Sequence, residues 1–96
     1  MLYEDIQRIR AVFAADSKIK EVLLFGSRAK GNYKTGSDID LAIVADNYTF
    51  DDLVEVDTKR SAIGLLYKFD LINFNRNHDQ KVADHIRRVG LIFFKR

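Results

Sequence analysis

Two short apolar runs and the polar segment between them decide how this chain folds. They read Val22-Leu23-Leu24-Phe25-Gly26-Ser27-Arg28-Ala29-Lys30-Gly31 and, after five intervening residues, Ser37-Asp38-Ile39-Asp40-Leu41-Ala42-Ile43-Val44. The first run ends at a glycine–serine turn, and the second opens with two aspartates. Free backbone N–H groups at such a turn bind anions, and closely spaced carboxylates bind divalent cations. The stretch therefore predicts two strands that carry a phosphate site and a metal site at a short, fixed spacing.

Apolar periodicity on both sides of this stretch outlines the remaining elements. Helical spacing predicts helices over residues 2–15, 50–65 and 79–89, and apolar runs predict strands over residues 19–25, 38–45, 68–74 and 91–94. Thr49, followed by Asp52 three residues on, is typical of a helix N-cap. Residues 26–37 predict a loop that encloses one short helical turn. We therefore expect an α/β (α+β) fold in the order α-β-α-β-α-β-α-β, with helices flanking a mixed β-sheet.

Length and composition narrow the class of protein further. The chain has 96 residues, a net charge of +2, no proline and no cysteine. We expect a single domain over residues 1–96, because no segment has the composition of a linker. The lack of cysteine excludes disulfides, thiol nucleophiles and cysteine-based zinc sites. No apolar run is long enough to span a bilayer and the N-terminus does not resemble a signal peptide, so we expect a cytoplasmic protein without a membrane partner.

The C-terminal quarter is basic and ends in an apolar run. Residues 75–96 hold six basic and two acidic side chains, whereas residues 1–74 hold ten and twelve. A solvated helix face explains this charge, and an acidic partner or nucleic acid is the alternative. Leu91-Ile92-Phe93-Phe94 predicts either an edge strand covered by the core or a pairing surface for another chain.

Asp38 and Asp40 are the first candidate site residues. Because they lie two apart on a predicted strand, both carboxylates project from one face, with Cα atoms roughly 7 Å apart. Carboxylate oxygens at this separation suit Mg²⁺, and two ions roughly 4 Å apart can clamp the attacking and leaving oxygens of a phosphoryl displacement. The alternative is a pair of exposed aspartates at the start of a strand, which is common.

Gly26 and Ser27 are candidates for the phosphate site. The glycine allows close backbone approach to a phosphate, and the Ser27 hydroxyl can add a hydrogen bond. Arg28 and Lys30 could neutralise a triphosphate, or they could be plain surface charges. A tight strand-to-helix turn would also need glycine, so the turn by itself leaves both interpretations open.

Asp70 is the candidate for a third carboxylate. It interrupts the apolar run from Tyr67 to Phe74, where a buried acid needs a reason. If its strand pairs beside the strand of Asp38 and Asp40, Asp70 can face them, hold a metal ion and accept the proton of an attacking hydroxyl. The alternative is a strand-end acid paired with Lys68 or Arg76.

These residues together resemble the signature of a known family. A Gly-Ser pair, ten intervening residues and Asp-x-Asp is the pattern of the polymerase-β-like nucleotidyltransferases, and the fuller form resembles their minimal nucleotidyltransferase branch. The matching residues are Gly26, Ser27, Arg28, Ala29, Gly31, Ser37, Asp38, Asp40 and Leu41. Asp70 falls where the family has its third carboxylate. The resemblance covers nearly the whole chain and implies the polymerase-β-like nucleotidyltransferase fold.

The resemblance also implies roles for these residues. It implies that Asp38 and Asp40 ligate two Mg²⁺ ions and that Asp70 helps to hold the catalytic ion. It implies that Gly26 and Ser27 seat the triphosphate. Arg28, Lys30 and Ser37 complete the set of candidate nucleotide-binding residues. The reaction implied is transfer of a nucleotidyl group from ATP to a hydroxyl, with release of pyrophosphate.

The partner implied by the resemblance is an HEPN-domain protein. Minimal members are typically paired with HEPN ribonucleases, which they neutralise by adenylylating a tyrosine. We therefore expect a hetero-oligomer in which this chain is the antitoxin and the protein adenylyltransferase. The alternatives are a non-catalytic antitoxin of the same fold, nucleotidyl transfer to a small molecule such as an aminoglycoside, and transfer to RNA. Nucleic-acid binding by this chain alone is not expected.

Overall fold

Three helices and four strands make up the part of the chain that the computed structural model describes, which is residues 3–26, 38–65, 67–74 and 80–96. In chain order the elements are α1 (Tyr3–Ala14), β1 (Ile19–Phe25), β2 (Ile39–Ala45), α2 (Phe50–Ser61), β3 (Phe69–Asn73), α3 (Gln80–Val89) and β4 (Leu91–Lys95). The expected α+β class and its order are confirmed for these elements. The helical turn predicted within residues 26–37 lies outside the described residues, apart from Gly26.

The four strands form one mixed sheet in the order β3-β2-β1-β4. β1 is antiparallel to both of its neighbours, whereas β2 and β3 run parallel. A parallel pair needs a crossover, and α2 supplies it between these two strands. The sheet is therefore mixed, as expected, and β2 and β1 are its two central strands.

The main core lies on one face of the sheet. Ile39, Leu41 and Ile43 alternate along β2 and are fully buried, as their period-two spacing predicts. The helix residues packed in the same cluster are Ile9 and Phe13 of α1 and Val56 of α2. On the opposite face α3 packs near β1, and Ile86 is fully buried there. None of the described helices is long and apolar enough to cross a membrane.

Helix α2 begins where its cap predicts and ends earlier than its apolar pattern suggests. The Thr49 hydroxyl accepts the Asp52 backbone N–H at 3.1 Å, and the Asp52 carboxylate accepts the Thr49 N–H at 3.0 Å. The predicted end at residue 65 is wrong, since the helix ends at Ser61. Gly64 has a φ of +79°, a left-handed conformation that terminates helices and that glycine adopts without strain.

Strand β4 forms an edge of the sheet. The sequence left open whether it is covered by the core or exposed as a pairing surface, and the structure has one part of each kind. Phe93 is buried against Phe13 of α1, so part of the strand is covered by the core. Leu91 and Ile92 are more than half exposed. The Arg10 guanidinium donates a 2.7 Å hydrogen bond to the Phe93 carbonyl, beside a register shift in the pairing with β1. This cation and this irregularity interrupt the outer edge of the strand.

Tyr48 lies between the strand predicted over residues 38–45 and the helix predicted over residues 50–65, and it is a core residue. Its side chain is buried, and its hydroxyl donates a 2.7 Å hydrogen bond to the Asp16 carboxylate. The Tyr48 carbonyl accepts a 2.7 Å hydrogen bond from the Asn73 side chain. Burial, followed by the Asp16 hydrogen bond and charge, raises the pKa of the Tyr48 phenol. This loop therefore ties β2 to the α1–β1 turn and to β3.

We expect Tyr48→Phe to lower the free energy of unfolding by about 1.5 kcal/mol, because it removes a buried hydrogen bond to a charged acceptor. The matched control is Tyr3→Phe, the same chemical change at an exposed tyrosine. Urea unfolding of both variants measures the effect. Equal stabilities of the two variants would contradict the role given to the Tyr48 hydroxyl.

Candidate active site

The parallel pairing of β2 and β3 places Asp40 directly beside Asp70. In this register Ile39 lies opposite Phe69 and Asp40 lies opposite Asp70. The Ile39 N–H donates a 2.8 Å hydrogen bond to the Lys68 carbonyl, which aligns the two strands where they begin. Adjacent strands lie about 4.8 Å apart, so these two carboxylates leave neighbouring positions on the same face. The sequence placed Asp70 in the site on the condition that its strand pairs beside the strand of Asp38 and Asp40, and the structure has this pairing.

Asp38 precedes β2 by one residue and belongs to the same group. It lies two positions before Asp40, so strand alternation places both on one side of the chain. Its charge acts on Asp40, because the pKa of the Asp40 carboxyl is raised by burial, then by Asp70 and then by Asp38. The three carboxylates therefore repel one another electrostatically. A bound divalent cation would relieve that repulsion.

Asp70 is exposed, so the buried position that its apolar run suggested is wrong. The physical reason is that β3 is an edge strand with a neighbour on one side only. Among the described residues, Asp70 forms no salt bridge with Lys68. Arg76, the other partner considered, lies outside the described residues. An exposed carboxylate beside Asp40 remains accessible to an incoming group.

Gly26, at the end of β1, contacts the Asp40 carboxylate. Phe25 is the register partner of Asp40 on β1, so the chain turns next to that side chain. A Cβ at Gly26 would overlap the Asp40 Oδ2 atom and would lie 3.2 Å from its Cγ. The φ of Gly26 is +75°, which L side chains rarely adopt. Glycine is required here both by the conformation and by the neighbouring carboxylate.

The described residues supply oxygen donors for a metal ion, but their side chains do not form a complete coordination sphere. No group of three carboxylate or histidine side chains within residues 3–26, 38–65, 67–74 and 80–96 is arranged to hold a metal ion. Asp38 and Asp70 are exposed, so their side chains can rotate towards Asp40. Oxygen donors alone are the set that Mg²⁺ prefers. The donor chemistry thus fits the ion, and binding would have to draw the side chains together.

The remaining predicted site residues cannot be placed. Ser27, Arg28, Lys30 and Ser37 lie outside the described residues. Of the predicted nucleotide-binding set, the structure describes Gly26 alone. The sequence alone indicates Lys68 only as an ion-pair partner of Asp70. In the structure its backbone carbonyl accepts the hydrogen bond that aligns β3 with β2. The sequence feature that could have indicated this role is the position of Lys68, two residues before Asp70 on a predicted strand.

We expect Gly26→Ala to destabilise the protein more than Gly64→Ala. Both positions have a left-handed backbone, which costs an alanine about 1 kcal/mol. A Cβ at Gly64 meets no atom within 4 Å, whereas one at Gly26 overlaps Asp40. Overpacking adds about 1–3 kcal/mol, so chemical denaturation should show a loss at Gly26 larger by at least about 1 kcal/mol. Equal losses at the two positions would show that Asp40 moves aside freely.

Asp40→Asn should stabilise the metal-free protein by up to about 1 kcal/mol at pH 7, where solvent screening limits the effect. The raised pKa means that the folded protein disfavours ionised Asp40, so stability falls as pH rises through that pKa. The gain should therefore shrink towards about pH 3, where Asp40 is protonated.

The matched control for this change is Asp46→Asn, which follows the same strand and removes an exposed ion pair with Lys20. It should leave stability unchanged or slightly lower it. Unfolding is measured in the presence of a chelator at both pH values. A loss of stability on Asp40→Asn at pH 7 would contradict the repulsion among the three carboxylates.

Comparison with protein families identifies the class of the chain. The family model described as polymerase beta, nucleotidyltransferase, matches residues 7–96. A provisionally named protein adenylyltransferase of Methanocaldococcus jannaschii is 42% identical over 55 residues, which cover 57% of this chain and 49% of that protein. The chain thus spans about half the length of the curated relative it matches.

Solved structures share the fold at low sequence identity. A toxin–antitoxin crystal structure with AMP-PNP has a TM-score of 0.75 and 20% identity, and covers 95% of this chain and 73% of that one. A complex of a tri-AMPylated Shewanella oneidensis HEPN toxin with an MNT antitoxin has a TM-score of 0.74 and 18% identity, over 100% of this chain and 74% of that one. A provisionally assigned nucleotidyltransferase from Sulfolobus solfataricus has a TM-score of 0.60 and 21% identity, over 95% and 77%.

The family match over residues 7–96 agrees with the order of the elements and with the carboxylates at the junction of β1, β2 and β3. This chain belongs to the polymerase β nucleotidyltransferase family.

Proposed function

We propose that this chain is a Mg²⁺-dependent protein adenylyltransferase that transfers AMP from ATP to a tyrosine hydroxyl of an HEPN-domain toxin. The observation that carries this proposal is the register of β2 and β3, which sets Asp40 beside Asp70 on one face. Asp38 shares that face, and Gly26 lies against the Asp40 carboxylate. Family membership supports the reaction class.

Asp38, Asp40 and Asp70 would hold the metal. Asp38 and Asp40 would be ligands to two Mg²⁺ ions, and Asp70 would help to hold the catalytic one. When bound, these ions neutralise charge on the phosphates and orient the reacting oxygens. Burial raises the pKa of the Asp40 carboxyl most, and the charges of Asp70 and Asp38 raise it further. The charge repulsion supports this role, because a metal ion relieves it as a proton does.

The nucleotide would lie on the glycine turn at the end of β1. Gly26 and Ser27 would contact the triphosphate through backbone and hydroxyl groups, with Arg28, Lys30 and Ser37 as further contacts. The position of Gly26 against Asp40 supports this arrangement, because it brings the turn and the metal ligands to one place. A triphosphate bound there would lie next to the carboxylates.

The transfer step follows from this placement. The acceptor oxygen forms a bond to the α-phosphorus, the bond from that phosphorus to the bridging oxygen breaks, and pyrophosphate leaves. Asp70, exposed beside Asp40, would accept the hydroxyl proton of the acceptor. ATP is therefore the second substrate, and no further reactant is needed.

The acceptor is proposed from the similar structures. Similar structures include an AMPylated HEPN toxin bound to an MNT antitoxin and a toxin–antitoxin structure with AMP-PNP. The described residues form one four-stranded sheet with its core. We infer that a partner protein in a hetero-oligomer supplies the acceptor, and that this chain is its antitoxin.

The test combines Asp38→Asn with Asp40→Asn in one variant. We expect wild-type protein, incubated with ATP, Mg²⁺ and the partner HEPN protein, to add AMP to a partner tyrosine, as detected by mass spectrometry. The double variant should be slower by at least about 100-fold, because it loses metal-mediated charge stabilisation. The control carries Asp46→Asn and Asp51→Asn, an equal charge change at exposed positions away from the carboxylates.

Three outcomes would overturn this proposal. An unmodified partner after incubation with wild-type protein would contradict adenylylation. Full neutralisation of the toxin by the double variant, without modification, would show that binding alone is the mechanism. Loss of activity in the control variant would show that overall charge, and not the metal ligands, is responsible.

A further inference from the structure

Lys68 lies on the face of the sheet that carries the three carboxylates. It precedes β3 and stands two residues before Asp70, so strand alternation places both on one side. Its carbonyl accepts the Ile39 N–H at 2.8 Å, and Phe69 is the register partner of Ile39. One step back along both strands, Lys68 therefore lies beside Asp38. Lys68 is thus a cation that accompanies the three acids at this end of the sheet.

The Lys68 ammonium does not neutralise these acids. Lys68 is exposed, and its ammonium forms no salt bridge with a carboxylate of the described residues. Other exposed lysines do pair, as in Lys18–Asp52 at 3.1 Å and Lys59–Glu55 at 3.3 Å. The repulsion that acts on Asp40 comes from Asp70 and Asp38. Lys68 is a cation beside a cluster of acids that leaves its charge available to another anion.

We propose that Lys68 binds the polyphosphate of the nucleotide substrate at the carboxylate face. A lysine ammonium on its flexible four-carbon side chain acts as a point charge that attracts phosphate. A hydrogen bond from the ammonium to a phosphate oxygen is charge-assisted. The nucleotide would then be held from two sides, by the glycine turn at the end of β1 and by Lys68 at the start of β3. This role presupposes the proposed function, because it needs a nucleotide at the three carboxylates.

The position of Lys68 has opposite consequences for the two ligands of the site. A fixed positive charge beside the carboxylates attracts the polyphosphate and repels a bare metal ion. Replacing Lys68 by an uncharged side chain should therefore weaken nucleotide binding while metal binding is unchanged or tighter. A side chain that only supported the local structure would weaken both.

The experiment compares Lys68→Met, Lys68→Arg and Lys20→Met with the wild type. Lys20→Met is the matched control, because Lys20 is an exposed strand lysine at the other end of the sheet and pairs with Asp46. Binding of Mn²⁺ alone is measured by electron paramagnetic resonance, and binding of AMP-PNP and of AMP in the presence of Mn²⁺ by calorimetry. Thermal unfolding verifies that each variant is folded.

Lys68→Met should bind AMP-PNP about 10-fold more weakly, the lower end of what one charge-assisted hydrogen bond supplies. Its affinity for AMP should change less, and its affinity for Mn²⁺ should not fall. Lys68→Arg should recover most of the AMP-PNP affinity, and Lys20→Met should match the wild type.

Three results would overturn this role of Lys68. They are unchanged AMP-PNP affinity in Lys68→Met, an equal loss for AMP and AMP-PNP, and a parallel loss of Mn²⁺ and nucleotide binding. Failure of the wild type to bind AMP-PNP at all would instead contradict the proposed function, and this role with it.

Discussion

The parallel pairing of β2 with β3 is the constraint on which the rest of this structure depends. It sets the Asp40 and Asp70 carboxylates at neighbouring positions, with Asp38 one step away along the same face. Like charges at this distance are unfavourable, and they raise the pKa of the Asp40 carboxyl further than its burial alone does. Natural proteins tolerate such repulsion where function needs it, so stability has to come from elsewhere in the fold.

That stability comes from the opposite face of the sheet and from the chain ends. Ile39, Leu41 and Ile43 bury one side of the strand whose other side carries Asp40. The Arg96 guanidinium donates hydrogen bonds to the carbonyls of Ala14 and Asp16, just after the last turn of α1, where a cation is favoured. A strand that buries apolar residues on one face and carries Asp40 at the start of the other can thus serve the core and the site at once.

Gly26 shows how the site and the turn constrain each other. Its positive φ closes β1, and its lack of a side chain leaves room for the Asp40 carboxylate. In the sequence, a turn glycine and an aspartate on the next strand are independent features. In the fold they touch, because Phe25 and Asp40 are register partners. The number of residues between Gly26 and Asp40 therefore corresponds to a contact between them in the fold.

The sequence by itself determined the α+β class, the location of the strands, the N-cap of α2 and the identity of the candidate carboxylates. These follow from local periodicity and from short motifs, which need no knowledge of distant contacts. The sequence also misjudged particular residues. It extended α2 to residue 65, although the left-handed Gly64 ends the helix locally. It described Asp70 as buried and gave Tyr48 no role, because the first depends on the position of β3 in the sheet and the second on a partner far along the chain.

Only the tertiary structure decided that β3 pairs beside β2 in the register that joins Asp40 to Asp70 and brings Lys68 next to Asp38. The physical reason is that strand order and register are set by the burial of whole faces and by the crossover through α2, not by local propensity. Period-two alternation shows that two acids share a face of one strand. It cannot show which strand lies alongside, and the chemistry of this site depends on that neighbour.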